Sequence, residues 1–365
     1  MPTIVDTVDH VLNYMEGVCD KPVEIHSIFQ EFTMDIISRI ALGQEECQLF
    51  KNPYMESARY IFTAPVEKLT NTWVTRFPFL KPYFKFQEKI FPKKETGNIV
   101  ENLYASLYSK IAKRKEEREK KQSKPMDFID LFLEAESKST DWETEMKTLD
   151  WSNLKVAKQL SIPEIVGQCF VFLLAGYDTT ANSLSFLIYE LINNPEALEQ
   201  LKEEVDGFLA SENFAYETIT NLQYLDACIK ESLRLHPVAA SIVNRCCMET
   251  TKIGEVVVEK GVNVEIDVLS INKNEVIWGE HPEKFRPERW LESETRHPIG
   301  FLTFGGGPRI CLGMRLALLE EKIMIIKLLE RFSLSKCPES EEKLFVRGYN
   351  VFYPKSVTLK LGPRQ

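Results

Sequence analysis

The sequence predicts a mainly α-helical fold with small β-sheets attached, on three observations. Apolar residues recur at helical spacing through most of the chain up to about residue 332. Alternation with a period of two is confined mainly to two short stretches, residues 252–268 and 345–361. With 365 residues, 44% of them hydrophobic, the chain can bury a large core as one big domain or two smaller ones.

Charge and composition exclude several classes of function. A formal charge of −9 argues against binding nucleic acid over a broad surface, because neutralising phosphates requires a basic face. The eight cysteines are scattered, with no CxxC pair and no framework typical of small secreted domains, and read as reduced intracellular thiols. The five histidines form no HExxH or other clustered ligand pattern, so a conventional zinc site has little support.

The elements follow in order. Residues 1–17 read as an amphipathic helix with acidic residues and no basic n-region, neither signal peptide nor membrane anchor. Residues 23–43 combine a short extended start with a helix, and residues 57–62 continue in that style. Residues 72–91 are rich in aromatics, interrupted by Pro78 and Pro82 and interleaved with Lys81, Lys85 and Lys89. They suit a membrane interface or an ordinary connecting loop equally well. The mixed charges of residues 113–124 read as the solvated end of a helix, and residues 137–152 as a polar connector.

A long helix then starts at a capping-box pair, Ser161 and Glu164, and runs to Asn193. Its centre carries Gly176, Asp178, Thr179, Thr180 and Asn182, too polar for a lipid-spanning segment. Asn194 and Pro195 start the next helix. Another spans residues 222–235 and stops at Pro237. Residues 252–268 read as a hairpin turning at 259–261, and residues 345–361 as strands with a turn near Tyr353 and Pro354.

The chemistry concentrates in residues 304–313, FGGGPRICLG, which lead directly into an apolar-periodic helix at 314–332. Three glycines and a proline force a tight loop that lets backbone approach a flat or bulky group. Cys311 stands at the N-terminal mouth of that helix, where unsatisfied N–H groups and the helix dipole favour a thiolate. Arg309 supplies a permanent cation for a carboxylate, and Gly313 removes a side chain beside the thiol. The loop lacks the GK[ST] ending of a phosphate cradle and the GxGxxG spacing of a dinucleotide site. A lone cysteine by itself is usually a small buried hydrophobe.

The run Phe304-x-x-Gly307-x-Arg309-x-Cys311-x-Gly313 resembles the haem-binding signature of cytochromes P450 at every fixed position. Glu231-Ser-Leu-Arg234 is similar to the family's ExxR motif, and residues 285–290, FRPERW, to its PERF segment, with Trp290 in place of the usual Phe. Ala175-Gly176-Tyr-Asp178-Thr179-Thr180 is similar to its oxygen-activating segment.

The resemblance implies one cytochrome P450 domain over residues 1–365 that begins inside the family's pattern, at about its fourth major helix, without anchor and first helices. It implies haem b with Cys311 as axial ligand to the iron. Arg309, Phe304, Gly305, Gly313 and Arg245 would lie around the cofactor, with the two arginines on its propionates. Glu231, Arg234 and Arg289 would form a structural triad. Asp178 and Thr179 would manage protons, and Ala175 and Gly176 would frame the oxygen and substrate space. Residues 239–242 and 349–351 are candidate substrate contacts by position, and Asn272 stands where many relatives have His.

The implied reaction is a monooxygenation: one atom of dioxygen enters a lipophilic substrate such as a xenobiotic, steroid or fatty-acid-like molecule, and the other is reduced to water. Electrons would come from NADPH through the membrane-bound cytochrome P450 reductase, with cytochrome b5 as a further partner, at the cytoplasmic face of the endoplasmic reticulum. The alternatives are a haem-thiolate isomerase or dehydratase, which often lacks the acid and threonine pair, and a catalytically impaired family member.

Overall fold

A computed structural model of the chain describes residues 1–63, 77–80, 82–83, 96–120, 127–136, 159–211, 213–292, 297–348 and 350–364. Most of the segment 72–91, all of 137–152 and Tyr349 lie outside the described residues. In chain order the elements begin with α1 (Pro2–Glu16), β1 (Pro22–Glu24), α2 (Ile25–Leu42), α3 (Met55–Thr63), α4 (Thr96–Lys120) and α5 (Phe128–Glu134). Then follow α6 (Ile162–Asn193), α7 (Pro195–Ser211), α8 (Tyr216–Thr220) and α9 (Gln223–Leu235). After the short strands β2 (Asn244–Cys246), β3 (Thr251–Ile253), β4 (Val256–Val258) and β5 (Asn263–Glu265) come α10 (Val268–Asn272), α11 (Glu275–Trp278) and α12 (Met314–Arg331). The chain closes on β6 (Phe332–Ser335), β7 (Val346–Arg347), β8 (Tyr353–Pro354) and β9 (Thr358–Pro363). The fold is thus mainly helical with small antiparallel sheets.

The helix starts follow their local chemistry. At α6 the Ser161 hydroxyl and backbone N–H both donate to Glu164 at 2.7 Å, so the capping pair is formed. Pro195 opens α7, and α9 covers the residues expected of it. Among the described residues no helix is long and apolar enough to cross a membrane. All eight cysteines are free.

Two strand assignments differ from expectation. Residues 252–268 are not one hairpin turning at 259–261. β3 pairs with β4 across a turn at Gly254, whose φ is +58°, while β5 leaves β4 and pairs antiparallel with β2. Tyr353 and Pro354 do not make a turn either; they form β8 against β7, and the chain reverses between Gly348 and Phe352.

The chain divides into two compact units, residues 1–36 with 176–365, and residues 37–175. In the second, α4 buries Leu103, Leu107 and Ile111. Arg114 reaches Asp127 at 2.6 Å and Asp130 at 3.2 Å, Lys115 reaches Glu136, and Arg118 reaches Glu134. Arg114, Lys115 and Arg118 thus face α5 and its flanking residues, while Lys113, Glu116, Glu117, Glu119 and Lys120 are exposed as expected of a solvated helix end; residues 121–124 lie outside the described residues. In the first unit, β9 lies between β1 and β6 in a three-stranded sheet, and Arg331 at the end of α12 reaches Asp9 and Asn13 of α1.

Helix α12 is the central rod of this unit, with Ile323, Met324, Ile325, Ile326, Leu328 and Leu329 all fully buried. It also buries three charged residues. Lys322 is met by Asp226 at 2.9 Å and by the Thr220 carbonyl. Glu320 and Glu321 form no ion pair among the described residues: burial pushes the Glu320 carboxyl well above the usual range and that of Glu321, despite Ser183 and Lys322 nearby, up to about 8. A carboxyl whose pKa rises on folding costs stability as pH rises: the penalty grows from the unfolded value of 4.5 to about 8 and stays in full above it. Glu321→Gln is therefore expected to leave stability nearly unchanged at pH 4 and to raise it at pH 8. Urea unfolding of both proteins at the two pH values checks this, and an equal effect at both would contradict it.

Candidate haem-thiolate site

The site is built from α9 outward. Glu231 and Arg234 stand three residues apart on one face of this helix and are fully buried, which excludes a surface ion pair. Glu231 Oε1 accepts from Arg234 Nη2 at 2.7 Å, from the Arg286 backbone N–H at 3.0 Å and from Arg289 Nε at 3.2 Å. Its Oε2 accepts from Arg234 Nε at 2.8 Å and Trp290 Nε1 at 3.0 Å. One carboxylate thus serves five donors.

The guanidiniums use their remaining N–H groups on backbone. Arg234 donates to the carbonyls of Asn272, Pro282 and Lys284, and Arg289 to those of Trp278, Glu280 and His281. Residues 272–290 are thereby folded around two cations. Asn272, fully buried, returns a bond from its Nδ2 to the Arg234 carbonyl. Trp290 forms an aromatic cluster with Trp278 and Phe301, the Trp290 and Phe301 ring centroids 5.0 Å apart.

Phe301 carries this scaffold to the loop before Cys311. The Thr303 hydroxyl donates to the Leu233 carbonyl of α9, and Leu302 packs with Ala240 and Val268. Gly305 and Gly307 adopt φ of +75° and +67°, the left-handed region that side chains disfavour. The turn is closed by bonds from Gly305 N–H to the Leu302 carbonyl, from Ile310 N–H to Gly307, and from Cys311 N–H to Phe304 at 2.8 Å. Cys311 follows directly, its thiol exposed at the start of α12. A Cβ on Gly313 would stand 4.0 Å from Cys311 Sγ.

The surroundings of the thiol fit a haem. Its flanking side chains are apolar and exposed, Ile310 by 47% and Leu312 by 84%. Arg309 is exposed and has no hydrogen bond or ion pair among the described residues, and Arg245, on β2, spends one N–H on its neighbour's carbonyl. A soft sulfur donor, apolar flanks and the Arg309 cation two residues away suit an apolar disc that carries carboxylates.

On α6, Val171, Ala175 and Thr179 recur every four residues along one helix face, with Ala175 exposed and Thr179 half-buried. Gly176 is half-buried as well. Asp178 points elsewhere. It is 2% exposed and accepts from Gln30 Nε2 at 3.0 Å and from Asn182 Nδ2 at 2.9 Å. Burial raises its pKa, and these donors oppose the rise. Residues 238–241 and 350–352 converge: Phe352 N–H donates to the Val238 carbonyl, and the Ser241 hydroxyl reaches the Asn350 carbonyl.

Sequence reasoning missed Gln30 and His26, and it gave Asn272 and Trp290 too little weight. Trp290 adds an indole N–H that phenylalanine lacks. A hydrogen bond to a buried charge contributes about 1.5–3 kcal/mol. Trp290→Phe is expected to lower unfolding stability by about that amount, and Glu231→Gln by about 3–5 kcal/mol because it strands two buried cations. Urea denaturation measures both; a Glu231→Gln protein as stable as the parent would overturn this reading.

Comparison with known proteins agrees with the geometry. The family model for cytochrome P450 matches residues 1–361. Two Caenorhabditis elegans proteins with provisional names as cytochromes P450 are similar along the whole chain. One, cyp-13B1, is 38% identical over 99% of this chain and 69% of its own length; the other, CYP13A5, is 36% identical over 100% and 72%. With a thiol at the mouth of α12, a glycine-shaped turn before it and a buried carboxylate and two arginines behind it, the chain belongs to the cytochrome P450 family.

Proposed function

We propose that this protein inserts one oxygen atom into a lipophilic substrate of the xenobiotic, steroid or fatty-acid-like class, with electrons from NADPH delivered through a cytochrome P450 reductase, and cytochrome b5 as a further partner. The family supports a haem-thiolate monooxygenase in general. The observation that carries the site assignment is the exposed Cys311 thiol at a helix N-terminus, between exposed apolar side chains and beside Arg309.

In this reading Cys311, exposed just before α12, would hold the haem iron through its sulfur. Arg309 and Arg245 would pair with the haem's carboxylates, while Phe304, Gly305 and Gly313 would line its binding surface. Haem held by a thiolate supplies the activation of dioxygen. Ala175 and Gly176 leave room on α6 for small reactants, and the Thr179 hydroxyl on the same helix hands on protons. Asp178, whose burial eases protonation, serves as their store. The converging segments 239–242 and 350–352 contribute to the substrate wall. Presence of both Asp178 and Thr179 favours oxygenation over isomerisation or dehydration of a peroxide. We place the protein at the cytoplasmic face of the endoplasmic reticulum membrane, with the aromatic and lysine residues of 72–91 at the lipid surface.

The test is spectroscopic. Purified protein should hold one haem and, when reduced under carbon monoxide, show the red-shifted Soret band of thiolate ligation, and Cys311→Ser should abolish that band. A band unchanged in Cys311→Ser would reject the ligand assignment. Oxidation of substrate with peroxide, but none with reductase and NADPH, would reject the electron source.

A further inference from the structure

The α2 helix enters the chemistry of Asp178 through two side chains. Gln30 Nε2 donates to Asp178 Oδ1, and Asn182 Nδ2, one turn along α6, donates to Oδ2. Asn182 Oδ1 in turn meets His26 Nε2 at 2.7 Å. An amide oxygen only accepts, so His26 Nε2 carries the proton, and the imidazole fixes which end of the Asn182 amide faces the carboxylate. Asn182 is fully buried, and His26 is 8% exposed. The Thr33 hydroxyl of α2 also donates to the Tyr177 carbonyl, pinning the backbone beside Asp178.

We infer that Gln30, directly, and His26, through the Asn182 amide, are positioning residues that hold the Asp178 carboxyl in one orientation and set how readily it takes up and releases a proton. The inference rests on the reading of Asp178 as the proton store of the oxygenation. One donor on each oxygen resists rotation of the carboxyl and favours its ionised form, while burial favours the neutral form. The two tendencies oppose each other, which is what a group that must both take and give a proton requires. The charged groups around the array are few. His26 reaches Asp178 only through Asn182, and Glu24, on the strand before α2, accepts the His26 backbone N–H. Asp35, further along α2, is occupied by the Thr7 hydroxyl, and Gln30, Asn182 and Thr33 are neutral. An amide conducts protons poorly, so His26 acts by orienting Asn182 rather than as a link in a proton wire.

Infrared spectroscopy of the haem-loaded protein tests this. The carbonyl stretch of protonated Asp178, assigned by its disappearance in Asp178→Asn, is followed against pH. Loss of a donor to the carboxylate should raise the titration midpoint, by about one pH unit in Gln30→Leu. The shift in His26→Phe should be smaller and in the same direction. His26→Gln, which keeps a donor toward Asn182, should restore most of it. Each variant is checked for the carbon monoxide band. If the band is present and the midpoints of Gln30→Leu and His26→Phe match the parent's, the inference is overturned. If the parent itself lacks the band, the haem-thiolate reading fails instead. Should His26→Phe not fold, Gln30→Leu still decides: a midpoint equal to the parent's overturns the inference.

Discussion

Burying a charge is costly unless it is paired and every polar atom around it is satisfied. The first unit of this protein buries one carboxylate and two guanidiniums together, and most of what surrounds Cys311 follows from how they are satisfied. Glu231 cannot neutralise both Arg234 and Arg289, so the remaining N–H groups draw on six backbone carbonyls between residues 272 and 284. That requirement folds an otherwise irregular segment. It brings Trp290 against Phe301, from which the chain enters the turn at Gly305 and Gly307 and reaches the thiol. A hub of this kind adds little net stability compared with an apolar core, but it admits few alternative arrangements.

The second polar region lies on α6 and α2 and has the opposite character. Asp178 accepts from two neutral amides, one of them held in turn by an imidazole, rather than from a fixed cation. A guanidinium at the position of Gln30 would hold the carboxylate ionised, whereas two amides leave burial and hydrogen bonding in competition. The network behind Cys311 joins fixed charges to one another, whereas the one around Asp178 sets a single carboxyl among neutral donors.

Local chemistry was legible in the sequence, and long-range partners were not. The loop at 304–313 could be read because its glycines, its proline and the helix start after Cys311 are signals within ten residues. The pairing of Glu231 with Arg234 is equally local, three residues apart on one helix face. The bond from Trp290 to Glu231 is not, and Trp290 looked like a simple exchange of aromatics. Gln30 and His26 gave no signal at all, because their partners lie 148 and 156 residues away. The misread hairpin has the same cause. Residues 256–265 look like two arms around Gly261, but β5 has a better partner in β2, which only the folded chain brings beside it.

The central claim is that the Glu231, Arg234 and Arg289 hub holds the loop of Cys311 in place, and amide hydrogen exchange across residues 302–313 tests it most directly. Lysine at 289 keeps the charge but loses the fork of donors that grips Trp278, Glu280 and His281. In Arg289→Lys the amides of Gly305, Ile310 and Cys311, each bonded within the loop, should exchange at least tenfold faster than in the parent, while the amides of α1 remain as protected as before. Unchanged protection of those three amides in a folded Arg289→Lys protein would contradict the account.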